Sequence, residues 1–193
     1  VGIVFQDPDN QLFSASVYQE ISFGVLNLGL SEDKAAERVE QVIAELEITP
    51  FRHKPTHALS GGQKKQVSIA DVLVMKPEIV ILDEPAAALD PKHDRLVKKL
   101  LAGLTGQGIT VIVSTHDMDY AYSWADEIVL LGGGRALCQG SPQKVCQKKE
   151  LLAENNLEQP QLLRLSDCLK RHGVIGGDAQ PARTWEELEA QLS

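Results

Sequence analysis

The 193-residue chain is 43% hydrophobic and 24% charged, apolar enough to build a core without disulfide or metal staples and too apolar for wholesale disorder. Lys and Arg number 19 against 27 Asp and Glu, a net charge of −8, which argues against a protein that grips nucleic acid through bulk positive charge. Its three cysteines, Cys138, Cys146 and Cys168, follow no metal-ligand spacing and read as reduced thiols. No secretory signal is read, and no apolar stretch approaches the roughly 20 residues that cross a bilayer.

In chain order, Val1 to Phe5 reads as a strand broken by Asp7-Pro8-Asp9-Asn10. Ser31 is a candidate N-cap for a helix ending near residue 47, with Ala35, Val39, Val42, Ile43 and Leu46 on one face. Leu59-Ser60-Gly61-Gly62 leads into a helix from about Gly62 to Met75 that ends before Lys76-Pro77. Ile79 to Leu82 is a continuous apolar run, the pattern of a strand buried on both faces of a parallel sheet. Asp90-Pro91 opens a helix bearing Leu96, Val97, Leu100, Leu101 and Leu104. Ile109 to Val113 is a second buried strand, followed by Ser114-Thr115-His116 and a helix over roughly 117–125. Gly132-Gly133-Gly134 turns a hairpin between Ile128–Leu131 and Arg135–Cys138. Ser141-Pro142 starts a short helix, another lies near 160–171, and Thr184 with Glu187 forms a capping box for 185–192. The order is that of an α/β domain with crossovers, beside which the helical 12–75 region sits as an insertion.

Four segments could carry chemistry. Asp83 and Glu84 lie at the C-terminal end of an apolar strand, the edge where open α/β sheets bind ligands. One carboxylate there can hold Mg2+ while the next deprotonates a nucleophilic water, although acids also simply begin loops. Ser60 with Gly61, Gly62 and Gln63 at a helix start offers backbone N–H groups to an anion; the plainer alternative is a helix cap with flexible glycines. His116, at the end of the next strand, can reach a phosphate or a water. Gln6 follows the first strand and can offer its amide oxygen to Mg2+ or water. His53, His57, His93 and His172 read as surface or loop residues.

Together and in this order, the segments resemble the motifs of ABC transporter ATP-binding subunits. Gln6 is similar to the Q-loop glutamine, Leu59 to Gln63 to the LSGGQ signature, and Ile79 to Glu84 to the Walker B strand with its catalytic glutamate. Ala88-Leu89-Asp90 resembles the D-loop and His116 the switch histidine. Phe5-Gln6-Asp7-Pro8-Asp9-Asn10-Gln11-Leu12-Phe13, Phe23-Gly24, Leu26-Asn27-Leu28-Gly29-Leu30 and Gly61-Gly62-Gln63-Lys64-Lys65 narrow the resemblance to the energy-coupling-factor group, with the cobalt and nickel uptake ATPases nearest.

The resemblance implies a P-loop NTPase-like α/β domain over 1–158 with a helical subdomain at about 12–75, and a C-terminal helical extension over 159–193. It implies ATP and Mg2+ as cofactors. Glu84, His116 and Gln6 would be catalytic, Asp83 and Gln6 would serve the metal, and Ser60, Gly61, Gly62, Gln63 and Asp90 would contact nucleotide across an interface. The implied partners are a second ATPase subunit, identical or paralogous, and transmembrane transporter subunits, with no nucleic acid. The implied location is the cytoplasmic face of a bacterial membrane, with Leu12, Phe13, Phe23 and Leu26 as an apolar docking patch or, equally, as core. Cobalt or nickel is the implied cargo and a vitamin the alternative.

The chain also departs from the pattern. It contains no GxxGxGK[ST] Walker A loop, whose backbone and Lys cradle the β- and γ-phosphates. The expectation is a part of a longer ATPase lacking the N-terminal strands, and the alternative an accessory half-site subunit without hydrolysis of its own. Gln66 stands where the group has Arg or Lys, Asp71 where it has Gly or Arg, and Ala86-Ala87-Ala88 replaces a small polar mixture. The first two are expected to alter charge near the nucleotide surface.

Overall fold

The computed structural model describes residues 1–87 and 89–192, which form two compact units that meet in sequence between Ser114 and Thr115. In the first, β1 (Gly2–Val4), β2 (Ile79–Asp83) and β3 (Thr110–Ser114) form a parallel sheet in that order, with Val4 beside Leu82 and Leu82 beside Val113. Parallel neighbours need long crossovers, here the helical segment between β1 and β2 and α4 (Pro91–Gly106) between β2 and β3.

The sheet buries one face more completely than the other. Val4, Val80 and Leu82 are fully buried, whereas Ile79 and Ile81 are half-buried and Ile3 and Ile112 are exposed. Burial of both faces, expected from the unbroken run Ile79–Leu82, is therefore realised on the face of Val80 and Leu82 alone among the described residues. Helix α3 (Gly61–Leu73) lies on that face so closely that a Cβ on Gly2 would come within 2.2 Å of Val72 Cγ1. Glycine at position 2 is what lets strand and helix touch.

The insertion packs α1 (Val17–Leu26), α2 (Glu32–Glu45) and α3 around Val17, Ile21, Val25, Val39, Ile43 and Ile69. Ser16 caps α1 through Gln19 N, whereas Ser31 occupies the N-cap position of α2 without a side-chain capping bond. Phe13, Phe23 and Leu26 stay exposed, and the Phe13 and Phe23 rings meet edge to face at 4.9 Å. Of the docking patch, Leu12 is half-buried and the other three residues lie on the surface.

In the second unit, α5 (Met118–Trp124), α6 (Pro142–Cys146), α7 (Lys149–Glu154) and α8 (Gln161–Arg171) join a hairpin of β4 (Ile128–Gly132) and β5 (Arg135–Gly140). Gly133 and Gly134 both take positive φ, 56° and 75°, the backbone that a tight two-residue hairpin turn demands. Met118, Tyr122, Ile128, Leu130, Val145 and Leu152 share a core with Leu163 of α8. The boundary expected at 158/159 thus falls inside this unit, where Leu163 enters the core beneath the hairpin.

Leu162, on the neighbouring side of α8, packs with Ala182 and with Leu188 of α9 (Trp185–Leu192). Arg183 donates to the Tyr122 and Ala125 carbonyls at 2.8 and 2.6 Å, closing the end of α5. The capping box before α9 forms by half. Thr184 Oγ1 accepts from Glu187 N at 3.2 Å, but the Glu187 carboxylate accepts from Arg183 N one residue further back. Among the described residues, no helix is long and apolar enough to cross a membrane.

Candidate functional site

The C-terminal ends of β1 and β2 bring Gln6 and the Asp83-Glu84 pair to the same edge of the sheet. Asp83 Oδ1 accepts from Ser114 Oγ at 2.7 Å, so β3 steadies the carboxylate while leaving it at the surface. Glu84 leaves the strand with φ of 42°, a left-handed backbone uncommon outside glycine. Its N–H donates to the Ser114 carbonyl at 2.9 Å, and its own carbonyl accepts from Ala87 N at 3.1 Å. The turn thus aims residue 84 differently from residue 83, which two adjacent acids need if they are to do separate work. The segment Ala88-Leu89-Asp90 includes Ala88, which lies outside the described residues.

Gln6 is exposed, and its carbonyl is held from below. Lys65, only 2% exposed, sends its ammonium to the carbonyls of Phe5 and Gln6 at 2.9 and 2.7 Å. Burial lowers the Lys65 pKa, opposed by the charges of Asp7 and Asp83. The next turn is tied by Gln11, whose amide nitrogen donates to the Ser68 carbonyl at 2.8 Å and to Asp71 Oδ2 at 3.2 Å. Further along, Glu20 is fully buried and accepts from Phe13 N and Ser14 N. Lys64 adds an ion pair to Asp9 at 2.5 Å. The loop after β1 is therefore lashed to α3 and α1 by polar side chains that periodicity does not expose.

At the start of α3, Ser60 Oγ accepts from Gln63 N at 3.3 Å and Gln63 Oε1 accepts from Ser60 N at 3.2 Å, a complete capping box. The cap and the anion turn, weighed above as alternatives, are compatible. The box satisfies the N–H groups of Ser60 and Gln63, whereas those of Gly61 and Gly62 lie in the first turn, where helices leave donors without intrahelical partners. The space beside Gly61 is open. Gly62 is covered by the ring of His93: a Cβ there would lie 2.5 Å from His93 Cγ. His93 also bonds Asp90 (2.5 Å, Nδ1 to Oδ2) and is 19% exposed, so its reading as a surface residue is corrected. Asp90 caps α4 by accepting from Lys92 N and His93 N.

His116 lies in the second unit, where it lines a cavity of about 290 Å3 with Asp117, Asp119, Asn156 and Gln159. Asp117 caps α5 by accepting from Tyr120 N at 2.9 Å.

Both expectations about charge near the nucleotide surface change. Gln66 is buried, and its amide donates to the Leu46 carbonyl at 3.0 Å, tying the end of α2 to α3. Asp71 lies beneath the loop after β1, where burial pushes its carboxyl up to about 6; the Gln11 amide opposes the shift and Glu20 adds to it. The folded form therefore holds this proton more tightly than the unfolded chain. The associated stability is present below the unfolded value of 3.8 and is lost as pH rises toward 6. Asp71→Asn keeps an acceptor for Gln11 and removes the penalty. Urea denaturation is expected to show about 2 kcal/mol of added stability at pH 8 and little at pH 4; an equal effect at both would contradict this account.

Comparison with known proteins agrees with the geometry. The profile of the ABC transporter family matches residues 1–87. The energy-coupling factor transporter ATP-binding protein EcfA2 of Clostridium perfringens is 47% identical over 171 residues, 88% of this chain and 60% of that protein. The cobalt import ATP-binding protein CbiO of Rhodobacter capsulatus is 42% identical over 193 residues, all of this chain and 69% of that protein. The solved structure of cbiO1 from Clostridium perfringens, part of the ABC transporter complex cbiONQ, superposes with a TM-score of 0.70 at 46% identity, covering 88% of this chain and 66% of that one. The chain thus spans about 60% to 69% of the length of these relatives. With the sheet edge, the capped glycine turn and these identities in hand, the chain belongs to the ABC transporter ATP-binding subunits, in the group of the energy-coupling-factor and cobalt-import ATP-binding proteins.

Proposed function

We propose that this chain is part of an ATP-hydrolysing subunit that energises import of a small solute through partner membrane proteins, at the cytoplasmic face of a bacterial membrane. Cobalt or nickel ions are the preferred cargo and a vitamin the alternative. The observation that carries the reading is the capped turn Ser60–Gln63 in the same unit as the paired carboxylates Asp83 and Glu84. The turn's N–H groups and the helix dipole suit a phosphate of a nucleotide held by a second ATPase subunit.

Among the described residues there is no cluster of three or more His, Cys, Asp or Glu that could hold a metal. The surface carboxylate of Asp83 fits Mg2+, which takes one or two protein carboxylates and completes its shell with phosphates and water. Asp83 would hold the ion, and Mg2+ would supply neutralisation of phosphate charge. Glu84 would accept the proton of the attacking water, Gln6 and His116 would orient that water, and Asp90 would act across the subunit interface. The exposed Phe13, Phe23 and Leu26 suit docking of apolar segments of the membrane partner.

The test is Mg2+-dependent ATP hydrolysis by the full-length gene product co-purified with its membrane subunits. Hydrolysis is expected, with loss of at least tenfold in Ser60→Arg, which places bulk over the turn. ATP binding without hydrolysis would favour the accessory half-site reading.

A further inference from the structure

His93 stands outside the roles above, yet it is the residue that joins two of their components. Its Nδ1 is 2.5 Å from Asp90 Oδ2 while Asp90 Oδ1 takes the N–H groups of Lys92 and His93, at 2.9 and 3.1 Å. Both carboxylate oxygens therefore have a partner on α4. An ionised carboxylate only accepts, so the proton between them sits on Nδ1. The backbone N–H of His93, then its ring, hold the Asp90 carboxyl below the usual carboxylate range. The same ring lies on Gly62, where an added Cβ would meet Cγ at 2.5 Å and Cδ2 and Nδ1 at 2.7 Å each. Real Cβ contacts are never that close, and a ring bonded to Asp90 has little freedom to withdraw.

The geometry points to His93 as a positioning residue: its imidazole fastens Asp90 at the start of α4 to Gly62 in the first turn of α3, so that the interface aspartate and the phosphate-facing turn are held in one fixed relation. Glycine at position 62 is, on this account, required by the His93 ring. The inference rests on the functional reading above for its effect on turnover, but the contact itself can be tested without it.

The experiment is a double-mutant cycle on the full-length gene product, using Gly62→Ala, His93→Ala and the pair, read by thermal unfolding and by steady-state ATP hydrolysis. Gly62→Ala is expected to lower the unfolding midpoint by roughly 5 °C alone and by less than about 1 °C beside His93→Ala, because the space the methyl needs has been vacated. His93→Ala is expected to lower kcat about tenfold with KM for ATP changed less than about twofold, since it loosens geometry and removes no nucleotide contact. His93→Asn, whose amide can still donate to Asp90, is expected to recover part of kcat. Equal losses from Gly62→Ala in both backgrounds would overturn the contact. Coupled unfolding with unchanged kcat would overturn the positioning role and leave a packing contact. Absence of hydrolysis in the unsubstituted protein would count against the functional reading, while the unfolding cycle would still decide the contact.

Discussion

Glu84→Gln in the full-length gene product is expected to cut ATP hydrolysis by about 10²- to 10⁴-fold, the usual worth of a positioned general base, with ATP binding retained. The substitution is nearly isosteric and leaves the backbone bond from residue 84 N–H to the Ser114 carbonyl in place. Glutamine meets the same left-handed backbone, φ 42°, as glutamate does, so the fold is not asked to change. What is lost is a carboxylate able to take a proton from water. Equilibrium binding of a labelled nucleotide alongside steady-state turnover separates the two effects. Turnover surviving within about tenfold of the parent would show that Glu84 is not the base and would shift attention to Asp83 or His116.

The second large effect concerns the loop that carries Gln6. Lys65→Met preserves the aliphatic stem and removes the ammonium, leaving the Phe5 and Gln6 carbonyls without the donor that reaches them at 2.9 and 2.7 Å. Two opposing terms decide the sign. Burying an ammonium is costly, and burial does lower its pKa. Against this stand two charge-assisted hydrogen bonds at about 1.5–3 kcal/mol each and the attraction of Asp7 and Asp83. Removing one partner also strands the acceptors. A net destabilisation of about 2 kcal/mol is expected in chemical denaturation. A neutral or stabilising result would mean that the desolvation penalty dominates and that the loop is held by Gln11 and Lys64 instead.

Local signals in the chain were enough for much of the framework. Asp90-Pro91 announced the cap and first residue of α4, and Gly133-Gly134 the hairpin turn, because both depend on φ preferences and hydrogen bonds within a few residues. The apolar runs Ile79–Leu82 and Ile109–Val113 placed β2 and β3 within a residue of their observed bounds. The capping box before α9 was legible only by half, since Glu187 had a second acceptable donor, Arg183 N, one position away. Strand hydrophobicity alone did not assign the accessibility of Ile3 and Ile112, since it does not state what covers each side; the expectation of missing flanking strands is what pointed to exposed sheet surface.

By itself, then, the sequence determined β2, β3, the β4–β5 hairpin and the cap of α4, and singled out Gln6, Ser60–Gln63, Asp83-Glu84, Asp90 and His116 as candidates, because each rests on residues adjacent along the chain. Only the tertiary structure decided what Gln11, Glu20, Lys65, Gln66, Asp71 and His93 do. Lys65 finds its acceptors 59 and 60 positions away, and Gln11 finds Asp71 across 60. Polar side chains like these look like surface residues in any local window. Their identity as interior ties follows from burial, where a donor or acceptor without a partner is costly, and burial is set by which distant segments fold against each other.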